Sequence, residues 1–170
     1  MMTFSTRVAA GLAFTLAMLA PLAQAAEPAV IYVVRHGEKT GNDGDPDLTA
    51  QGRTRASNIA AILKKTGIRH VFTSKTARTR QTAAPTAAVL GVPVREYDAR
   101  QPEKMVEELK AAGGNALVVG HSNTVAKLVT LLGGEPGAAI GDDEYDRLYQ
   151  LIVGRDGSVT TILLSSPPAH

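Results

Sequence analysis

Ala29-Val30-Ile31-Tyr32-Val33-Val34-Arg35-His36-Gly37-Glu38 is the stretch that decides the fold. Its first six residues are an unbroken apolar run rich in β-branched side chains. A run of that length with no polar alternation reads as a strand covered on both faces, the kind found in parallel sheets. Arg35 and His36 then fall at the strand's carboxyl end, where open α/β sheets form their ligand crevice. The pattern recurs downstream, where Ala116-Leu117-Val118-Val119-Gly120 runs into His121-Ser122-Asn123-Thr124. Two histidines on two strand ends, one with an arginine beside it, point to chemistry on a phosphoryl group.

Between and beyond these strands the chain alternates. A polar loop, Lys39 to Asp47, leads to a helical pattern with Ala56, Ile59, Ala60 and Leu63 on one face, Thr49 as N-cap and Gly67 as its close. His70 to Ser74 reads as a second strand, Thr76 to Leu90 as a helix ended by Gly91 and containing Pro85, and Val92 to Tyr97 as a third strand near an edge. Glu103 to Ala112 is an amphipathic helix, and Thr124 to Leu132 another. Arg147 to Val153 and Ser158 to Leu164 flank Gly154-Arg155-Asp156-Gly157 as a hairpin. This order predicts an α/β fold: a three-layer sandwich with a mostly parallel central sheet, helices on both faces and a C-terminal hairpin. The tail Ser165 to His170 is expected to be disordered.

The first 25 residues read as a secretory signal peptide. Arg7 precedes the apolar stretch Val8 to Leu22, and Ala23-Gln24-Ala25 supplies the small residues of a cleavage site. The apolar stretch is short for a membrane span of roughly 20 residues. Cleavage after Ala25 would leave residues 26–170 as a single domain, exported to the periplasm or secreted, with no stable membrane insertion. The whole chain carries 18 basic and 16 acidic residues, and Arg7 would leave with the leader. So even a balance offers no basic face for nucleic acid. With no cysteine, disulfides, thiolate catalysis and zinc–thiolate sites are excluded.

Phosphoryl transfer needs a nucleophile in line with phosphorus and positive charge on the non-bridging oxygens. A neutral imidazole can attack when its other ring nitrogen is fixed by a hydrogen bond. His36 is the candidate nucleophile, Arg35 its clamp, since the planar guanidinium donates two parallel hydrogen bonds. His121 is expected to donate to the transferring group. A second arginine, Arg78, stands in Ser74-Lys75-Thr76-Ala77-Arg78-Thr79-Arg80-Gln81-Thr82 at a helix start, where free backbone amides also favour anions.

Arg35-His36-Gly37-Glu38, Ser74-x-x-x-Arg78-x-x-x-Thr82 and Val118-Val119-Gly120-His121, in that order, resemble the histidine phosphatase superfamily. That group includes phosphoglycerate mutase-like enzymes and acid phosphatases. Leu48-Thr49-x-x-Gly52-x-x-x-Ala56 is similar to the family's first helix, with Arg55 where a glutamine is common. The resemblance spans Ile31 to Leu132. It implies that His36 is phosphorylated during turnover, that Arg35 and Arg78 bind phosphate, that His121 completes the pocket, and that no metal or organic cofactor takes part. It also implies an acid near the third strand, for which Asp98 is favoured over Glu103, and a phosphate contact from Asn42. Ser122 stands where branch two of the family carries its acid, so the chain is of the branch 1 type. Glu38 is expected to support the loop and pocket.

Other residues have plainer readings. His70 and His170 lie in no motif. Arg53, Arg55 and Arg80 are expected to be solvated on helices, and Lys64-Lys65 to be a charged helix end. Asp142-Asp143-Glu144-Tyr145-Asp146 reads first as a solvated loop and second as a pocket wall. The expected function is a phosphatase acting on a phosphorylated small molecule or envelope sugar through phosphohistidine at His36. The alternatives are a phosphomutase and a catalytically silent phosphate-binding module. Substrate choice is expected to lie in the loops Lys39 to Asp47 and Ala99 to Lys104 and in the chain beyond Gly133, none of which carries a recognisable code.

Overall fold

A computed structural model describes residues 28–167; the expected signal peptide lies outside the described residues. Six strands form one sheet in the order β3-β2-β4-β1-β5-β6. They are β1 (Ala29–Arg35), β2 (Ile68–Ser74), β3 (Val94–Tyr97), β4 (Asn115–Gly120), β5 (Arg147–Val153) and β6 (Val159–Ser165). The first four run parallel, while β5 is antiparallel to β1 and β6 to β5. The expected hairpin is thus the antiparallel β5–β6 pair, and the short, proline-preceded β3 is an edge.

Four helices complete the layers: α1 (Ala50–Leu63), α2 (Ala77–Leu90), α3 (Pro102–Ala112) and α4 (Ser122–Leu131). The alternation of side chains along β1 explains why both faces are dry. Ile31 and Val33 pack with Val106, Leu109, Leu128 and Val129 of α3 and α4. Tyr32 and Val34 pack with Ile59, Leu63, Ala83 and Ala87 of α1 and α2. Val33 and the Leu117–Val119 stretch of β4 are fully buried, as strands between two helical layers must be.

Local signals set the helix ends. Thr49 caps α1, its hydroxyl accepting from Gly52 N at 3.0 Å. Gly91 closes α2 with φ +66°, a conformation that suits glycine. The first turn of α2 is capped from elsewhere: both oxygens of Asp45, in the loop before α1, lie 2.9 Å from Ala77 N. That amide, expected to be free for an anion, is therefore taken.

The expected disorder of the tail is corrected at Ser165 and Ser166, and residues 168–170 lie outside the described residues. Ser165 ends β6, and Ser166 is buried, its amide donating to Asp146 O at 2.7 Å. The parallel topology brings the ends of β1, β2, β4 and β6 and the start of β5 to one side of the sheet. Among the described residues no helix is long and apolar enough to cross a membrane.

Candidate active site

At those strand ends lies a cleft of about 600 Å³ whose walls include Arg35, His36, Arg78 and His121. β1 delivers Arg35 and His36, and β4 delivers His121. His36 N donates to Gly120 O at 2.9 Å, which locks the two strand ends together. The two imidazole rings stand 5.4 Å apart, tilted by 66°. The sequence pairing of two histidines and two arginines is thus a spatial one.

His36 is 2% exposed. Its Nδ1 lies 2.7 Å from Gly37 O, a carbonyl that can only accept, so Nδ1 carries the hydrogen. Nε2 is then the ring nitrogen with the lone pair. Burial, outweighing the Gly37 hydrogen bond, and the nearby His121, Arg35 and Arg78 lower the His36 pKa to about 4. Burial, with Arg78 and Arg35 behind it, does the same for His121, also to about 4. Both rings are neutral at pH 7, the state a nitrogen nucleophile requires.

His121 is held from two sides. Ser74 Oγ lies 2.7 Å from its Nε2, and Arg78 Nη2 lies 3.3 Å from its Nδ1. A guanidinium can only donate, so Nδ1 accepts there and the Nε2 hydrogen goes to Ser74. Ser74 in turn meets the Thr79 hydroxyl at 3.0 Å. The Ser-x-x-x-Arg motif thus supplies a hydroxyl that orients one histidine and a guanidinium that reaches the same ring.

Arg35 is 4% exposed. Its Nη1 donates to Gly141 O at 2.8 Å and Glu144 O at 2.9 Å, and its guanidinium lies 4.0 Å over the Tyr145 ring. Arg78 Nη1 meets Asp45 at 3.3 Å. In each arginine Nε is buried without a partner. Both guanidiniums line the cleft, where two fixed positive charges suit an anion.

The remaining predicted residues divide. Asn42 lines the cleft, with its Oδ1 held by Lys39 Nζ. Asp98 is not in the cleft wall; it lies in a separate surface depression beside Tyr97 and Gln101. Its carboxylate binds the Arg100 side chain at 3.3 Å, which holds its pKa below the ordinary value. A carboxylate kept ionised and turned onto Arg100 is poorly placed as a proton donor. Glu103 pairs with Lys127 at 2.6 Å and does not line the cleft either. Arg55, expected to be solvated, is 5% exposed and forks the Glu38 carboxylate, with Nη2 at 2.7 Å from Oε1. Burial raises the Glu38 pKa, and the Arg55 hydrogen bonds outweigh it, leaving the group below its ordinary value.

Sequence reasoning missed the task of Ser74, while Lys39, Arg100 and Tyr145 fall in loops it reads as candidates for substrate selection or the pocket wall. Ser74 opens the Ser-x-x-x-Arg motif at the end of a predicted strand, and that position is the signal the sequence offers for it. Of the readings of Asp142 to Asp146, the second is the one found: Asp142, Asp143 and Tyr145 line the cleft. Among the described residues no group of three His, Cys, Asp or Glu is arranged to hold a metal ion.

Comparison with known proteins agrees with this layout. The profile of the histidine phosphatase superfamily (branch 1) matches residues 31–103. A probable phosphoglycerate mutase, GpmB, of Escherichia coli O1:K1 is 32% identical over 106 residues, covering 58% of this chain and 49% of its own. The chain therefore spans about half the length of that relative. Among solved structures, the protein histidine phosphatase SixA complexed with tungstate superposes with a TM-score of 0.64 at 20% identity, over 81% of this chain and 97% of its own. A mycobacterial glucosyl-3-phosphoglycerate phosphatase with inorganic phosphate gives 0.65 at 19% identity, over 82% and 97%. At such identities the structural likeness speaks for the fold. Motif order, profile and fold agree: the chain belongs to branch 1 of the histidine phosphatase superfamily.

Proposed function

We propose that this protein is a phosphatase that hydrolyses a phosphomonoester through a phosphohistidine on His36, without a metal. The observation that carries this reading is the Nδ1–Gly37 O bond, which leaves a neutral Nε2 in a cleft with two arginines. Nε2 attacks phosphorus, the bond to the leaving oxygen breaks, and that oxygen takes a proton. Water then attacks phosphorus on the phosphorylated ring and gives a proton back to the group that protonated the leaving oxygen, the P–N bond breaks, and neutral His36 and inorganic phosphate result. Arg35 and Arg78 hold the non-bridging oxygens throughout. When Arg78 turns to the anion, the Ser74 hydroxyl can donate to His121 Nε2, and the His121 Nδ1 hydrogen then faces the phosphoryl group.

The proton for the leaving oxygen comes from the Asp142–Asp143 pair, the carboxylates on the cleft wall. Asp98 would act only indirectly, by holding Arg100 at the rim. Export to the periplasm, as residues 1–25 suggest, fits a phosphatase of phosphorylated small molecules or envelope sugars. Mass spectrometry of the secreted chain would test it by an N-terminus at Ala26.

The similarity to a phosphoglycerate mutase supports a second reading, transfer from His36 to another hydroxyl. One experiment separates them. The protein is incubated in EDTA with p-nitrophenyl phosphate and with a phosphoglycerate panel. Phosphate release to water, lost in His36→Ala with the fold intact, supports the phosphatase. Isomerised phosphoglycerate with little free phosphate would favour the mutase. Tight phosphate binding with neither reaction would leave a silent binding module.

A further inference from the structure

Behind His36 in the chain lies a buried set of contacts that do not line the cleft. Arg55, on α1, is buried and points away from solvent. Its Nε reaches both oxygens of Glu38 at 3.0 and 3.1 Å, and Nη2 adds a bond of 2.7 Å. Its third nitrogen turns the other way, to Ser166, donating to the backbone O at 3.1 Å and to Oγ at 2.9 Å. One planar cation thus joins the residue two after His36 to the residue directly after β6.

Ser166 continues the connection. Its amide donates to Asp146 O at 2.7 Å. Asp146 follows Tyr145, whose ring stacks on Arg35, and Arg35 donates to Gly141 O and Glu144 O of the same loop. The contacts close a circuit: His36, Glu38, Arg55, Ser166, Asp146, Tyr145, Arg35, and back to His36 along β1. Parallel β1 and the returning β6 make this possible, since both end on the cleft side.

We propose that Arg55 and Ser166 are positioning residues: they fix the loop bearing His36 against the 141–146 wall, so that the C-terminal segment is part of the active-site frame. The inference rests on the phosphatase reading for its kinetic consequence but on hydrogen bonds alone for its mechanical one. A guanidinium is needed because three nitrogens must serve two partners in one plane, which a lysine ammonium cannot do. Misplacement of a reacting group by about 1 Å can cost on the order of a hundredfold in rate.

The test uses the protein ending at Ser165, which keeps β6 intact, and Arg55→Lys in the full chain. With p-nitrophenyl phosphate, both are expected to lose about tenfold to a hundredfold in kcat, with KM within twofold of wild type. Hydrogen exchange in the truncated protein is expected to quicken at the Thr40 and Glu144 amides, bonded to Asp47 O in the loop after β1 and to Gly141 O in the loop before β5, while the β1 and β4 amides keep their protection. Unchanged kcat in both variants of an active wild type would overturn the proposal. So would faster exchange confined to the tail, or spread evenly through the sheet. Should wild type itself release no phosphate, the phosphatase reading fails, and the exchange pattern still decides the frame.

Discussion

Gly52 of α1 lies so close behind Glu38 that a Cβ on it would sit 2.3 Å from the Glu38 carbonyl oxygen. The fit is mutual, for a Cβ on Gly37 would sit 2.7 Å from Gly52 O. Neither glycine has a positive φ, so the requirement is room and not backbone freedom. Two backbones pressed together cannot yield as a flexible side chain can. Gly52→Ala is expected to destabilise the fold by about 2–3 kcal/mol, the upper range for overpacking. Gly41→Ala, with open space around it, should fall within about 0.5 kcal/mol of wild type. Urea unfolding of the two variants checks the contrast.

The two histidines give the fold an acid sensitivity. The His36 pKa is lowered from 6.5 to about 4. The unfolded chain therefore binds more protons than the folded one between those values, and stability falls as pH drops through that window. Full stability is present above pH 6.5, and the loss attributable to His36 reaches about 3 kcal/mol near pH 4. His121 acts in the same direction. Unfolding free energies at pH 7, 5.5 and 4.5 should show the fall, and His36→Asn should flatten it. Titration of the ring carbons by NMR should find both imidazoles still neutral at pH 5.5.

Arg35 and Arg78 are expected to differ in what a lysine does to them. Arg35→Lys breaks bonds to two loop carbonyls and the stack on Tyr145. It should lower kcat/KM by at least about a hundredfold and also cost about 1–3 kcal/mol of stability. Arg78→Lys gives up an ion pair to half-exposed Asp45, worth little to the fold. Its effect should fall on kcat/KM, with the melting temperature almost unmoved. Calorimetry beside steady-state kinetics separates the two.

Leaving-group dependence locates the proton donor. A nitrophenolate departs unaided, whereas an alkoxide needs a proton. Asp98→Asn should leave hydrolysis of both p-nitrophenyl phosphate and glycerol phosphate within about threefold of wild type. Asp142→Asn, Asp143→Asn or the double variant should spare the first substrate and slow the second by about a hundredfold. A hundredfold loss on glycerol phosphate in Asp98→Asn would return the acid to the position after β3.

What the sequence made legible follows from how each feature is encoded. The buried strands Ala29–Arg35 and Asn115–Gly120 are local, apolar and bounded by motif residues, so period and punctuation suffice to find them. His36 and His121 could be paired because both end such strands. Arg55 could not be read, since its burial depends on Glu38, 17 residues away, and on Ser166, 111 residues away. The placement of Asp98 outside the cleft wall was not legible for a related reason: proximity to β3 in sequence says nothing of which neighbour takes its carboxylate, and Arg100, two residues on, does. Tyr145 belongs to a loop without regular structure, whose course is set by Arg35 and by the Arg147–Glu144 pair.

The β1 and β4 strand interiors are dry hydrocarbon, whereas the arginines and histidines of the cleft sit on strand tips or at the start of the segments that follow them. Selection on clientele can therefore rewrite exposed side chains of the cleft wall, such as Asn42, Asp142 and Asp143, almost without touching what keeps the molecule folded. Two requirements separated in space can be altered one at a time, which makes this scaffold easy to retarget.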